Sequence, residues 1–252
     1  MSFQPLALIT GASSGIGRAC AESLAQQGYD LILLARREAQ LIETQNLCLK
    51  LNSKIKVRYF CVDLTDDLAV DQFVAKVDLS KVTVLINNTG LAKGTEPVQK
   101  AAFQDWDAML KTNVRALFYL THKILPLMTK NRSGHIVNIG SVAGRWVYPG
   151  GAVYCATKFA IRAFTEGLRQ DLVGTGLRVT NIEPGMVHTN FSNVRFNDAE
   201  KAKKVYEGMT PLTAHDIAES VVWSLLRPAH VNIQELVIFP TDQAAIGLVH
   251  RQ

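Results

Sequence analysis

Tyr154-Cys155-Ala156-Thr157-Lys158 sets a phenol and an ammonium four residues apart. On a helix this spacing puts both groups on one face. A free phenol titrates near ~10 and is a poor base at neutral pH. A neighbouring ammonium favours the phenolate and lowers that value. Such a tyrosine can give or take the proton of an alcohol while hydride moves to or from a nicotinamide. Ser141 lies thirteen residues earlier, where its hydroxyl can hold a substrate oxygen beside Tyr154. Asn113 opens an amphipathic stretch, and an N-cap would explain it equally well.

A second cluster lies near the N-terminus. Leu6–Ile9 runs into Thr10-Gly11-Ala12-Ser13-Ser14-Gly15-Ile16-Gly17 and then a helical pattern. Glycine lets such a turn be tight and lets backbone approach a ligand closely. The helix start then offers free N–H groups and a positive dipole end to a pyrophosphate. The second apolar run ends in Leu34-Ala35-Arg36-Arg37. An acid there would hold the ribose 2′-hydroxyl of NAD, whereas two guanidiniums suit a 2′-phosphate, so the expected cofactor is NADP. Asp63-Leu64 follows the third run, placed either to meet the adenine or, for Asp63, to cap a helix.

These residues need a frame that brings strand ends together. Short apolar runs at Leu6–Ile9, Leu31–Ala35, Val57–Val62, Val82–Ile86, His135–Ile139, Arg178–Ile182 and Glu235–Phe239 alternate with longer helical stretches. Their lack of polar alternation is the pattern of strands buried on both faces, hence a parallel sheet covered by helices. The alternation predicts a doubly wound α/β fold. Helices are expected over Asn113–Lys130, with Pro126 inside it, and over Val153–Val173, which Gly174 and Gly176 end. The apolar side of the first comprises Val114, Leu117, Phe118, Thr121, Ile124, Leu125 and Met128, and that of the second Ala156, Ala160, Ala163, Phe164, Leu168 and Leu172. Residues 1–252 are expected to form one domain, with a polar excursion over about 186–211 expected to carry substrate contacts.

Composition closes off other classes. The 252 residues are 48% apolar and 19% charged with a net charge of +5, which favours anionic ligands without the dense basic block of a nucleic-acid binder. No run is long enough to span a membrane. The N-terminus has no basic leader, so a cytoplasmic protein is expected. Cys20, Cys48, Cys61 and Cys155 match no zinc or redox spacing and read as buried thiols, and the six histidines are scattered, so no metal is expected.

Together these residues resemble the short-chain dehydrogenase/reductase family over essentially the whole chain. The family's glycine motif matches Thr10 to Gly17, and its catalytic tetrad matches Asn113, Ser141, Tyr154 and Lys158. Its Asn-Asn-Ala-Gly motif stands here as Asn87-Asn88-Thr89-Gly90, and its Pro-Gly motif as Pro184-Gly185 with Val187 and Thr189. The resemblance implies a seven-stranded Rossmann-like sheet. It makes Tyr154 the acid/base, Lys158 the group that lowers its pKa and holds the nicotinamide ribose, Ser141 the orienter of the carbonyl, and Asn113 the holder of a relay water. Cofactor contacts fall on Gly11, Ser13, Ser14, Gly15, Ile16, Gly17, Arg36, Arg37, Asp63, Leu64, Asn88, Gly90, Tyr154, Lys158, Pro184, Gly185, Val187 and Thr189. A dimer or tetramer joined through the two long helices is also implied, and a homotetramer is expected; a core face would explain the same apolar stripe.

Phe191–Phe196, Pro228–Ile233 and the ending Val249-His250-Arg251-Gln252 are similar to the NADP-dependent 3-hydroxy acid dehydrogenases, a group that includes the serine and allo-threonine dehydrogenases and the malonic semialdehyde reductases. A small hydroxy acid offers few atoms to bind, so its carboxylate calls for a fixed cation. Arg195 is the expected ligand, beside Ser141 and Tyr154 as the other substrate contacts; Lys93, Arg145 and His188 are the other candidates. Reduction of 3-oxoacyl thioesters or xenobiotic ketones is an alternative, and an NADP-binding sensor a further one. The tail from Thr241 is expected to pack against a neighbouring subunit.

Overall fold

The computed structural model describes residues 4–252. Strands β1 (Leu6–Thr10), β2 (Asp30–Ala35), β3 (Val57–Cys61), β4 (Val82–Asn87), β5 (Gly134–Ile139), β6 (Leu177–Pro184) and β7 (Glu235–Ile238) form one sheet, each within a few residues of its expected span. Its order is β3-β2-β1-β4-β5-β6-β7, parallel throughout. The order reverses between β1 and β4, and in such sheets the crevice outside the carboxyl ends at the reversal takes the ligand.

Both sheet faces are covered, which is why the strands lack polar alternation. Ala7 and Ile9 of β1 face α1 (Gly15–Gln26), α2 (Glu38–Leu51) and a later helix, α9 (Ala214–Leu225); that core includes Leu24, Leu41, Ile217 and Val221. Leu6 and Leu8 face the other layer. There α3 (Asp67–Lys76), α5 (Ala116–Lys130) and α6 (Ala152–Asp171) contribute Phe73, Leu120, Ile124 and Leu168. Between β4 and α5 lie α4 (Phe103–Met109) and a π-helical stretch, Leu110–Arg115, so helix runs unbroken from Phe103 to Lys130.

This corrects the helix start expected at Asn113, which therefore caps nothing and sits fully buried inside the π turn. A π turn is a recurrent device for re-aiming a side chain at a functional site. The apolar face expected on α6 is also revised. Ala156 and Ala163 are exposed, and the buried face carries Cys155, Thr157, Lys158, Ile161, Thr165 and Leu168. Its polar members reach hydrogen-bond partners in the sheet and on the π turn, which a hydrophobic reading of the helix does not anticipate. Cys61 is exposed, unlike the other three thiols, because it ends the sheet's outermost strand.

The excursion after β6 holds two short helices, α7 (Phe191–Phe196) and α8 (Ala199–Lys204). The chain closes in a hairpin of β8 (Gln243–Ala245) and β9 (Leu248–Val249). The tail packs on this same chain. The Gln252 N–H donates to the Gly208 carbonyl at 2.8 Å, and Arg251 donates to the carbonyls of Val205 and Glu207. No described helix is long and apolar enough to cross a membrane.

Candidate active site

One cavity of about 680 Å³ runs along the carboxyl ends of β1, β4, β5 and β6 and ends beneath α7. Its first wall is the turn after β1. Gly11 and Gly15 have φ of +64° and +54°, which L side chains rarely adopt. Gly17 does not line the cavity; a Cβ there would overlap the Gly11 carbonyl, so its smallness lets α1 sit against the turn. The Thr10 hydroxyl accepts from the N–H groups of Asn88 and Thr89 at 2.9 and 3.0 Å. The Asn88 amide donates to the Thr10 carbonyl at 3.0 Å. Asn88 thus ties β4 to the turn with its side chain and offers the cavity little but backbone.

Ser13, Ser14, Arg36, Arg37, Asp63 and Leu64 line the same end. Arg37 Nη2 donates to the hydroxyls of Ser13 at 3.1 Å and Ser14 at 2.9 Å, so its fork is held over the turn. The Arg36 side chain is 70% exposed and lies 3.8 Å from the Asp63 carboxylate. Asp63 accepts from the backbone and hydroxyl of Thr65 and caps no helix, since Asp66 caps α3. Burial works against the Asp63 charge, but the Thr65 hydrogen bonds and Arg36 hold the carboxyl below its ordinary range. A tight glycine turn at a helix start, beside two arginines, fits an adenine dinucleotide carrying a 2′-phosphate.

Ser141, Tyr154 and Lys158 meet in the middle of the cavity, with Gly90 across from them. Ser141 caps a short 3₁₀ turn, Val142–Gly144, and its Oγ accepts the Ala143 N–H at 3.1 Å. A Cβ on Gly144 would lie 2.8 Å from the Lys158 carbonyl, so the serine turn and α6 touch backbone to backbone. Lys158 Nζ donates to the Ile139 carbonyl at 2.9 Å and lies 5.9 Å from the centre of the Tyr154 ring.

Burial pushes the Lys158 ammonium down to about 8. Burial likewise pushes the Tyr154 phenol up, reinforced by Tyr148, while the Ser141 hydrogen bond and the Arg195 charge pull it back. The expected lowering of the phenol by Lys158 is therefore not the outcome among the protein's own groups. The ammonium is turned to a backbone carbonyl, and desolvation dominates.

Asn113 does not line the cavity. Its Oδ1 accepts from the Leu91 N–H at 2.8 Å, and its amide donates to the Leu91 carbonyl at 2.7 Å and to Thr157 Oγ1 at 3.1 Å. It fastens the loop after β4 to the foot of α6. Beneath the site Asn87, Asn138 and Asn181 stand in register across β4, β5 and β6. Asn87 donates to Asn138 Oδ1 and Thr121, and Asn138 donates to Thr165.

Pro184, Gly185, Val187 and Thr189 line the far end, below α7. Gln243, which sequence reasoning passed over, accepts the Met186 N–H at 2.8 Å and fixes this turn. Tyr206, also missed, donates from its hydroxyl to the Val187 carbonyl at 2.8 Å and closes α8 onto the strand end. Neither sits in a motif; each is recruited by a contact distant in sequence. Phe191 of α7 faces the Tyr154 ring at 5.7 Å.

Of the four cations considered for an anionic substrate, only Arg195 lines the cavity. Arg145 is committed to Glu183 and Glu235, Lys93 lies 3.2 Å from Asp105, and His188 packs edge-on against Tyr206. Arg195 is in none of the ion pairs among the described residues.

Residues 5–200 match the family model described as short chain dehydrogenase. The chain is 43% identical over 252 residues to the NADP-dependent 3-hydroxy acid dehydrogenase YdfG of Escherichia coli O6:H1, covering 98% of this chain and 100% of the relative. It is 42% identical over 243 residues to sulfoacetaldehyde reductase 2 of Chromohalobacter salexigens, covering 95% of each. Among solved structures, the closed form of serine dehydrogenase complexed with NADP+ superposes with a TM-score of 0.90 at 42% identity, over 98% of this chain and 100% of that one.

Proposed function

Because the chain belongs to the short-chain dehydrogenase family, we propose that it is an NADP(H)-dependent oxidoreductase interconverting a hydroxyl and a carbonyl on small 3-hydroxy acids, such as serine, allo-threonine or 3-hydroxypropionate. The observation that carries the reading is the meeting of Ser141, Tyr154 and Lys158 in one cavity with Arg195, a cation without an acidic partner among the described residues. The three relatives' names point the same way, since a 3-hydroxy acid, serine and sulfoacetaldehyde each carry an anionic group.

The glycine turn, Gly11 to Gly17 with Ser13, Ser14 and Ile16, would hold the pyrophosphate, and Arg36 and Arg37 the 2′-phosphate. Asp63 and Leu64 would meet the adenine, Asn88 and Gly90 the adenosine side, and Pro184, Gly185, Val187 and Thr189 the nicotinamide end. NADP(H) supplies or accepts the hydride. Everything else falls to the protein. The Ser141 hydroxyl, its oxygen held by the Ala143 N–H, would give its own hydrogen to the substrate oxygen. Tyr154, held protonated by burial, donates to that oxygen as a carbonyl is reduced. In the oxidising direction the phenol must lose its proton first, so that rate rises with pH. Lys158 steadies the ribose and supplies the positive charge beside the phenol, and Asn113 keeps the Leu91 loop in place for a relay water. Arg195 pairs with the substrate's anionic group in a site that α7 shields from solvent, which strengthens the pair.

The proposal extends to one cytoplasmic domain over residues 1–252 with its substrate excursion at about 186–211. It also includes a homotetramer, supported by the exposed Ala156, Phe159 and Ala163 along α6. A monomer by sedimentation at micromolar concentration overturns that assembly. The function is tested by following nicotinamide absorbance with small 3-hydroxy acids and neutral alcohols, each with NADP+ and NAD+. Turnover of the acids with NADP+ is expected. A preference for neutral substrates overturns the substrate class.

A further inference from the structure

Arg195 is held at a junction of three loops. Its carbonyl accepts the Gly94 N–H at 3.2 Å, and its Nε donates to the Gly94 carbonyl at 3.4 Å. Gly94 has φ +69°, so only a residue without a side chain makes this turn easily. Next to it, a Cβ on Gly150 would overlap the Thr95 carbonyl, so the loop after β5 runs in backbone contact with the loop after β4. That loop carries Tyr148, which lines the cavity. The Arg195 guanidinium lies 5.3 Å from the centre of the Tyr148 ring and 5.6 Å from that of Phe196. The Tyr148 ring in turn packs on Gly151, where any Cβ would overlap it, so the tyrosine is braced against the start of α6.

We propose that Tyr148 is the positioning residue for Arg195: it fixes the guanidinium over the substrate site and so sets the preference for anionic substrates. This rests on the reading of Arg195 as the anion ligand. Phe196 is Arg195's neighbour on the same short helix and moves with it. Tyr148 belongs to a different loop, joined to α6 and hence to Tyr154, so it is the ring that registers the cation against the reacting groups. A guanidinium facing a ring keeps its edge free to fork a carboxylate or sulfonate. Burial raises the pKa of the Tyr148 phenol although the Arg195 charge pulls it back, so it stays a neutral partner.

The experiment compares 3-hydroxypropionate with its methyl ester, which shares the skeleton and lacks the charge. KM and kcat are measured for Tyr148→Leu, Tyr148→Phe, Arg195→Ala and the double variant Tyr148→Leu with Arg195→Ala. NADPH fluorescence titration reports on the fold and cofactor site of each. Tyr148→Leu should raise KM for the acid roughly tenfold more than for the ester, and Tyr148→Phe, which keeps the ring, should recover most of that difference. In the Arg195→Ala background, Tyr148→Leu should add no further acid-over-ester difference. An anion-selective loss in Arg195→Ala, with Tyr148→Leu acting alike on acid and ester or at full size in the double variant, overturns the positioning role alone. Arg195→Ala acting alike on acid and ester overturns the underlying reading, and this inference with it. If Tyr148→Leu loses NADPH binding, Tyr148→Met, which also removes the ring, takes its place in the cycle with Arg195→Ala: coupling in the acid-over-ester ratio supports the role, and strict additivity overturns it.

Discussion

Replacing Arg36 and Arg37 with alanine tests the proposed cofactor end of the cavity most directly, and the settings of the two side chains predict unequal shares. Arg37 is preorganised: two serine hydroxyls hold its fork at 3.1 and 2.9 Å over the glycine turn. A bond from it to a 2′-phosphate would be a charge-assisted hydrogen bond, of about 1.5–3 kcal/mol. Arg36 is 70% exposed and already neighbours Asp63, so it must exchange one anion for another in a well-screened setting. An exposed pair of this kind contributes about 1 kcal/mol or less. The double variant should therefore lose about 2–4 kcal/mol toward NADPH, or roughly 30- to 1,000-fold in Kd. Arg37→Ala should account for most of it. Fluorescence titration with NADPH and with NADH separates the phosphate from the rest of the cofactor. NADH affinity should fall only slightly, through the loss of the Ser13 and Ser14 contacts. Equal losses for the two cofactors, or a larger effect at Arg36 than at Arg37, would refute this assignment.

Tyr154→Phe should lower kcat by ~10²–10⁴-fold, the loss typical for a general acid, with NADPH Kd and Tm nearly unchanged; near-normal turnover would sink the acid/base role. Glu183 is fully buried and bonded to Arg145 and Asn181, so Glu183→Gln should cost about 3 kcal/mol by urea denaturation, the lower end for a broken buried pair because Arg145 keeps Glu235. A change within error would show that the remaining partners absorb the charge. Burial lowers His135 from the ordinary 6.5 to about 3, so between those values the unfolded chain binds a proton that the native one does not. Stability should fall as pH drops through that window, by up to ~1.4 kcal/mol per pH unit from this group, and His135→Gln should flatten the acid limb; an unchanged slope refutes the assignment.

The placements legible in the sequence are those set by local chain order. The glycine turn and the Tyr154/Lys158 pair each lie within one strand–turn–helix unit, and Arg36 and Arg37 directly follow a strand, so residue order alone placed them at one sheet edge. What the sequence hid depends on contacts between distant segments. The π turn at Leu110–Arg115 lengthens a helix that propensity would start later, because Asn113 gains three hydrogen bonds to Leu91 and Thr157. The buried side of α6 is partly polar because Thr165 and Lys158 find partners on β5, so apolar periodicity found Leu168 and Leu172 but also took in the exposed Ala156 and Ala163. Arg145 and Arg195 read alike in the sequence, as loop arginines on the ligand side of the sheet. Two glutamates at the ends of β6 and β7 spend the first on structure, while the second rests on aromatic rings with its charge uncompensated. The same logic governs Tyr154: spacing brings the ammonium near, but how deeply α6 buries both groups decides the direction of the shift. Local patterns thus nominate the groups that could react, and the tertiary fold, by satisfying some charges and desolvating others, selects which of them are left with chemistry to do.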